Sequence, residues 1–283
     1  MAHGSCLCGE VAWEIEGPLQ LMSHCHCSRC RKAHGIPFAT YVAGNVDGYR
    51  LLRGREHLAR FESSPGFFRM FCDRCGSVVP GEPFGSLVFI PAGGLDGDLG
   101  VRPEMHIFCA SKMPWVEVND RLAHYEGYPP GFDAPALPDL PARTPATGTP
   151  RGSCLCGGVT YVVEGEPLRW WICHCSRCRK ARGSGHASNL FTSADGVRFT
   201  RGEELAVSYK LPDAKYFAQV FCCTCGSPIP RIDRSRNYAI IPTGTLDDDP
   251  GTRPQAHIFV ASKAAWDEIT DRMPQHAELP PAP

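Results

Sequence analysis

Gly4-Ser5-Cys6-Leu7-Cys8-Gly9, then Cys25-His26-Cys27-Ser28-Arg29-Cys30, then Phe71-Cys72-Asp73-Arg74-Cys75-Gly76, decide how this chain is read, because the set occurs twice. It returns as Gly152-Ser153-Cys154-Leu155-Cys156-Gly157, Cys173-His174-Cys175-Ser176-Arg177-Cys178 and Phe221-Cys222-Cys223-Thr224-Cys225-Gly226. The first five cysteines recur 148 positions on and the last two 150. Such a duplicated thiol framework points to two domains of one fold, each built around metal.

The repeat extends outward from the cysteines. Val11, Trp13 and Ile15 alternate with Ala12, Glu14 and Glu16, and Val159, Tyr161 and Val163 take the equivalent places. Period-two alternation predicts a half-buried strand. Leu95-Asp96 matches Leu246-Asp247, His106-Ile107-Phe108 matches His257-Ile258-Phe259, and Trp115 matches Trp266. Short apolar runs closed by Pro91 and Pro242 predict further strands, and helical periodicity is confined to turns after Cys30 or Cys178 and near Trp115 or Trp266. The fold class is therefore mainly β. Residues 127–150 hold seven prolines and little periodicity, which suits a semi-rigid linker. The expected organisation is a first zinc domain over 1–126, the linker 127–150, a second zinc domain over 151–276 and a tail 277–283. Each domain, at about 125 residues, can bury a core of its own. Tandem copies also allow an intramolecular pseudo-dimer.

The chain has 283 residues, 43% of them hydrophobic and 21% charged, with a formal net charge of −1. That balance disfavours a nucleic-acid binder, which needs a basic excess for phosphate contacts. No apolar run reaches the length of a membrane span, and Met1 to Gly9 does not read as a signal peptide. The expected location is cytoplasmic, with no membrane partner. In a reducing compartment, sixteen cysteines in C-x-C and C-x-x-C pairs read as metal ligands rather than disulfides. A thioredoxin-like reading of Cys72 and Cys75 lacks its βαβ setting.

Seven thiolates per copy cannot complete two four-cysteine sites. The simplest partition joins Cys6 and Cys8 to Cys72 and Cys75 in a closed, structural four-thiolate zinc site. Cys154, Cys156, Cys222 and Cys225 do the same in copy two. Cys25, Cys27 and Cys30, with Cys173, Cys175 and Cys178, are left as three-thiolate sites with an open fourth position, the arrangement of catalytic zinc. Two ions per domain give about four zinc per chain. Arg29, Arg31 and Lys32, with Arg177, Arg179 and Lys180, either offset thiolate charge and attract an anionic ligand or form a solvated helix face. A water or a histidine would fill the open position; packing or hydrogen bonding suits His26, His174, His106 and His257 better than ligation, and they stay outside the ligand set.

Taken in order, Gly-Ser-Cys-Leu-Cys-Gly, Cys-His-Cys-Ser-Arg-Cys-Arg-Lys, Phe-Cys-x-x-Cys-Gly-Ser, Leu-Asp and His-Ile-Phe resemble the glutathione-dependent formaldehyde-activating enzyme family, which includes the centromere protein V relatives. The resemblance runs from Gly4 to about Tyr125 and from Gly152 to about His276. It implies β-tent domains of antiparallel sheets, a structural zinc on Cys6, Cys8, Cys72 and Cys75, and a second zinc on Cys25, Cys27 and Cys30, each with its copy-two set. It also implies a carbon–sulfur lyase acting on a small-molecule thiol, glutathione, and an aldehyde, formaldehyde, to give S-hydroxymethylglutathione. The centromere protein V relatives imply a competing reading, a non-catalytic zinc-stabilised interaction module. Three positions depart from the family pattern: Ile36 against Ser184, Gln219 against Arg69, and Gly94 against Thr245.

Overall fold

The structure, a computed structural model, describes residues 1–132, 134, 139–140 and 148–281. Parts of the 127–150 linker and the last residues of the 277–283 tail lie outside the described residues.

Each copy is mainly β. In copy one a three-stranded antiparallel sheet joins Ala2–Ser5, Ala12–Ile15 and Tyr49–Arg53. A five-stranded sheet has the order Ala123–His124, Met105–Ile107, Gln20–Cys25, Ala39–Asn45, Leu87–Pro91. Its Met105–Ile107 strand runs parallel to Gln20–Cys25, which brings His106 beside His24 and Ile107 beside Cys25. A meander of Leu58–Ser64, Phe67–Cys72 and Val78–Val79 completes the unit. Copy two repeats the plan, with Ala256–Ile258 parallel to Arg169–Cys173. Among the described residues no helix is long and apolar enough to cross a membrane.

The alternation seen in the sequence sets the core. Val11, Trp13 and Ile15 are fully buried, as are Val159 and Tyr161, while Glu14 and Glu16 stay partly or wholly exposed. Trp13 lies over Gly4, its partner across the ladder, and a Cβ at Gly4 would meet the indole at 2.5 Å. Copy two seats the ring of Tyr161 on Gly152 in the same way. This packing explains one departure from the family pattern. The larger indole leaves room only for Gly94, where a Cβ would meet Trp13 at 2.8 Å, whereas the phenol of Tyr161 hydrogen-bonds to the Thr245 hydroxyl at 2.7 Å.

Two short helices follow the second cysteine motif, α1 (Ser28–His34) and α2 (Ser176–Arg182). Each starts on a cysteine whose sulfur accepts from the backbone N–H three residues on, and each ends at a left-handed glycine, Gly35 or Gly183, the usual stop for a helix. These helices also bind the copies together. Arg31 of α1 donates to the carbonyls of Gly244 and Leu246, and Lys32 donates to Ser153 and Asp247. On the opposite side Lys180 of α2 donates to Ser5 and Asp96. Arg31 and Lys32 are 5% exposed, so the solvated-face reading of them fails. A buried contact with the second copy engages both, and Arg31 keeps a favourable electrostatic interaction with Cys27.

Candidate metal centres and the copy-one cavity

The cysteines gather as the ligand count requires. All sixteen are free thiols, and fourteen fall into four groups. The donor sulfurs of Cys6, Cys8, Cys72 and Cys75 lie within 4.8 Å of one another, as do those of Cys154, Cys156, Cys222 and Cys225. Cys6 to Cys8 is 3.4 Å and Cys8 to Cys72 is 3.7 Å; the copy-two values are 3.3 and 3.8 Å. Four sulfurs about 2.3 Å from a tetrahedral zinc stand about 3.7 Å apart, so the donor set fits that ion. The surrounding backbone fixes the sulfurs. Val11 N–H donates to the Cys6 sulfur, Leu7 N–H to the Ser77 hydroxyl, and Gly76, with φ at +70°, closes the knuckle by donating to the Cys72 carbonyl.

The three-cysteine groups form at the junction of strand and helix. Cys25 ends its strand, Cys27 caps α1 and Cys30 lies in its first turn, with all three sulfurs within 4.8 Å; Cys173, Cys175 and Cys178 match them. Hydrogen bonds from Cys25 and Cys27 hold the Cys30 thiol well below its ordinary value, with Arg69 adding to the effect. The motif's Phe108 and Phe259 both take a left-handed backbone, φ 56°, and pack against the two clusters. That conformation is costly for a bulky residue, and here it delivers an aromatic ring to the sulfurs.

The intervening histidines turn away from the sulfurs. His26 Nε2 meets His106 Nδ1 at 2.8 Å, and His106 Nε2 meets Asp120 at 2.8 Å. A carboxylate accepts, so a neutral His106 carries its proton on Nε2 and accepts from His26. His174, His257 and Asp271 repeat the chain. Asp267 extends it to the other nitrogen of His174, at 3.0 Å. Copy one has Val116 there, which leaves the buried His26 Nδ1 without a partner. The sequence reading missed Asp120 and Asp271, although both follow their histidine by 14 residues.

The surroundings of the two three-cysteine groups differ. Cys25, Cys27 and Cys30 line a cavity of about 380 Å³. Within it the buried Arg69 lies 3.5 Å from the Cys30 sulfur and 3.4 Å from the Tyr41 hydroxyl. Burial opposes the charge on Arg69, yet Cys30, Tyr41 and Cys27 raise its pKa above the ordinary value. Tyr41 meets His34 Nε2 at 2.7 Å, and His34 Nδ1 faces the Arg182 carbonyl from the other copy. A carbonyl only accepts, and burial lowers His34 to about 4, so the Tyr41 O–H donates to His34 and its oxygen stays open to Arg69. In copy two Gln219 replaces Arg69 and turns away, to the Cys75 carbonyl. Trp171, which stands where copy one has Ser23, packs with Phe217 against Cys173 and Cys178. Described linker residues also cover copy one: Tyr128 and Phe132 line the cavity, and Asp139 binds the Ser28 backbone and hydroxyl.

A family model described as glutathione-dependent formaldehyde-activating enzyme matches residues 1–111 and 149–262. No curated protein matches the chain. Among solved structures, a Rhodobacter sphaeroides protein from a structural genomics effort is 26% identical over 37% of this chain and 91% of its own, with a TM-score of 0.28. Since the family model spans both copies and well over half of the sequence, the chain belongs to the glutathione-dependent formaldehyde-activating enzyme family.

Proposed function

We propose that the chain is a zinc-dependent carbon–sulfur lyase-like enzyme that joins a thiol to an aldehyde, with glutathione and formaldehyde as the family's pair. The observation that carries this reading is that Cys25, Cys27 and Cys30 open onto a cavity in a member of this family. In it, those three cysteines hold the catalytic zinc and the two four-cysteine groups are structural clips. Zinc held by three thiolates supplies a Lewis acid and a lowered pKa for a bound thiol. Arg69 offsets the charge of the three sulfurs from a buried position, where a fixed cation counts for more than in water. Tyr41, hydrogen-bonded on both sides, holds Arg69 there. Aromatic rings line part of the cavity, and so many unpaired thiols suit a reducing cytoplasm.

Copy two favours a second role, that of a zinc-stabilised module without chemistry. Trp171 and Phe217 close on its three cysteines, and Gln219 supplies no cation. Its α2 and its 243–246 segment then act as the platform on which copy one's α1 is held. The experiment compares the rate of glutathione–formaldehyde adduct formation, over the spontaneous rate, for the zinc-replete full chain and Cys27→Ala. Enzyme-dependent turnover that the substitution abolishes, with the far-UV circular dichroism unchanged, is expected; a zinc-replete wild type with no rate above background sinks the proposal.

A further inference from the structure

The copy-one cavity has an apolar lining that formaldehyde and the polar arms of glutathione leave unused. At about 380 Å³ it can enclose a drug-sized molecule, a size that glutathione also has, so the lining rather than the volume sets what else can lie there. Glutathione carries two carboxylates and an ammonium, yet the charged residues lining the cavity, Arg29, Arg69, Glu82 and Asp139, balance in sign. Asp139 is engaged with Ser28, and Arg69 with Cys30 and Tyr41. Much of the remaining wall is apolar, and five of its aromatic rings form one contiguous cluster. Phe108 meets Tyr128 edge-on at 4.7 Å, Tyr128 meets Phe132 at 5.0 Å, and Phe132 stacks on Phe84 and meets Phe89 edge-on, both at 6.0 Å. This wall starts at the sulfurs, because Phe108 packs directly on the cluster. An apolar group lodged there next to the cysteine cluster starts close to the reacting carbon. The side chain of an aldehyde does so; the polar arms of glutathione do not.

We infer that copy one takes an aldehyde bearing an aromatic or branched aliphatic group, which lies on the Phe108–Tyr128–Phe132 wall while the thiol meets it at the three-cysteine site. The inference rests on the thiol–aldehyde reading above. The product is a hemithioacetal: the thiol sulfur bonds to the aldehyde carbon, the carbonyl π pair passes to oxygen, and oxygen takes the proton the thiol gives up. No oxidant or reductant is needed. Tyr128 and Phe132 belong to the segment joining the copies, so the tandem architecture itself builds the selective wall, and copy two, with Trp171 against its cluster, has no equivalent task.

The test uses the zinc-replete full chain and two measurements. The first compares kcat/KM for phenylacetaldehyde and formaldehyde, each with glutathione; the second compares calorimetric binding of S-benzylglutathione and S-methylglutathione. The expected preference is at least about tenfold for the aromatic member of each pair, the factor that burial of a ring's added apolar surface supports. Phe132→Ala is expected to weaken S-benzylglutathione about tenfold and S-methylglutathione by less than about twofold, with Tyr128→Ala as a second variant. Turnover of formaldehyde without any aromatic preference overturns this inference and leaves the enzyme reading standing. No turnover of either aldehyde overturns both.

Discussion

The Lys32 ammonium lies 2.6 Å from the Asp247 carboxylate across the contact between the two copies, with the side chains only 6% and 7% exposed. Lys32 also donates to the carbonyl and hydroxyl of Ser153. Burying two charges is costly, and removing one partner strands the other, an effect of about 3–5 kcal/mol. The counterpart, Lys180 with Asp96, is 22% and 57% exposed, where ion pairs contribute about 0–1 kcal/mol. Lys32→Ala is therefore expected to destabilise the chain by about 3–5 kcal/mol in urea unfolding. Lys180→Ala is expected to cost under about 1 kcal/mol. Equal losses would show that burial does not set the difference.

Arg69 and Gln219 distinguish the two copies at one equivalent position. Arg69→Gln converts copy one to the copy-two pattern and removes the cation beside Cys30. Loss of a single preorganised charge or donor at a reacting centre typically lowers kcat by about 10²–10³-fold. A loss of roughly a hundredfold in kcat/KM, with zinc content unchanged, is expected. Cys175→Ala, which opens only the copy-two cluster, is expected to retain at least about half of wild-type kcat if copy one carries the chemistry as proposed. A larger loss would place chemistry in both copies.

Zinc analysis separates the closed and open sites. The full chain is expected to hold about four zinc, and a chelator is expected to remove about two first, from the sites with only three protein ligands. The four-cysteine groups tie together segments more than sixty residues apart in the chain, so loss of the ions they would hold is expected to coincide with unfolding. A value near two zinc before any chelator would mean that the three-cysteine groups are not metal sites.

Much of this was legible in the sequence because the repeat states it twice. The spacing of Cys6, Cys8, Cys72 and Cys75 carried its own geometry, and Trp13 and Ile15 announced the core face by alternation. What the sequence hid were contacts between the copies. Lys32 and Asp247 are both visible as repeated residues, but a motif gives no sign that its partner lies 215 positions away. Likewise nothing in the 127–150 sequence marks Tyr128, Phe132 and Asp139 as residues that pack on copy one. Arg69 stood out only as a difference from Gln219, since its partners Cys30 and Tyr41 lie on α1 and on another strand.

Acid sensitivity should be concentrated in the histidines buried between the copies. Burial lowers His186 to about 3; His174, His257 and His24 reinforce the shift, while Asp267 opposes it. Its ring lies edge-on to Phe38, at 5.6 Å, and Phe38 is its own counterpart in copy one. In the unfolded chain a histidine titrates near 6.5, so below that pH the unfolded state binds a proton that the folded state refuses. The stability associated with neutral His186 is thus fully present above about pH 6.5 and is lost as pH falls toward 3. At pH 5 the loss from this group is about 2 kcal/mol. His186→Phe, which restores the copy-one residue, is expected to lessen the fall in unfolding free energy between pH 7 and pH 5 by about that amount. Zinc-ligand protonation contributes equally to both proteins and cancels in the comparison. Parallel pH profiles for wild type and variant would show that His186 is already charged, or solvated, in the folded chain.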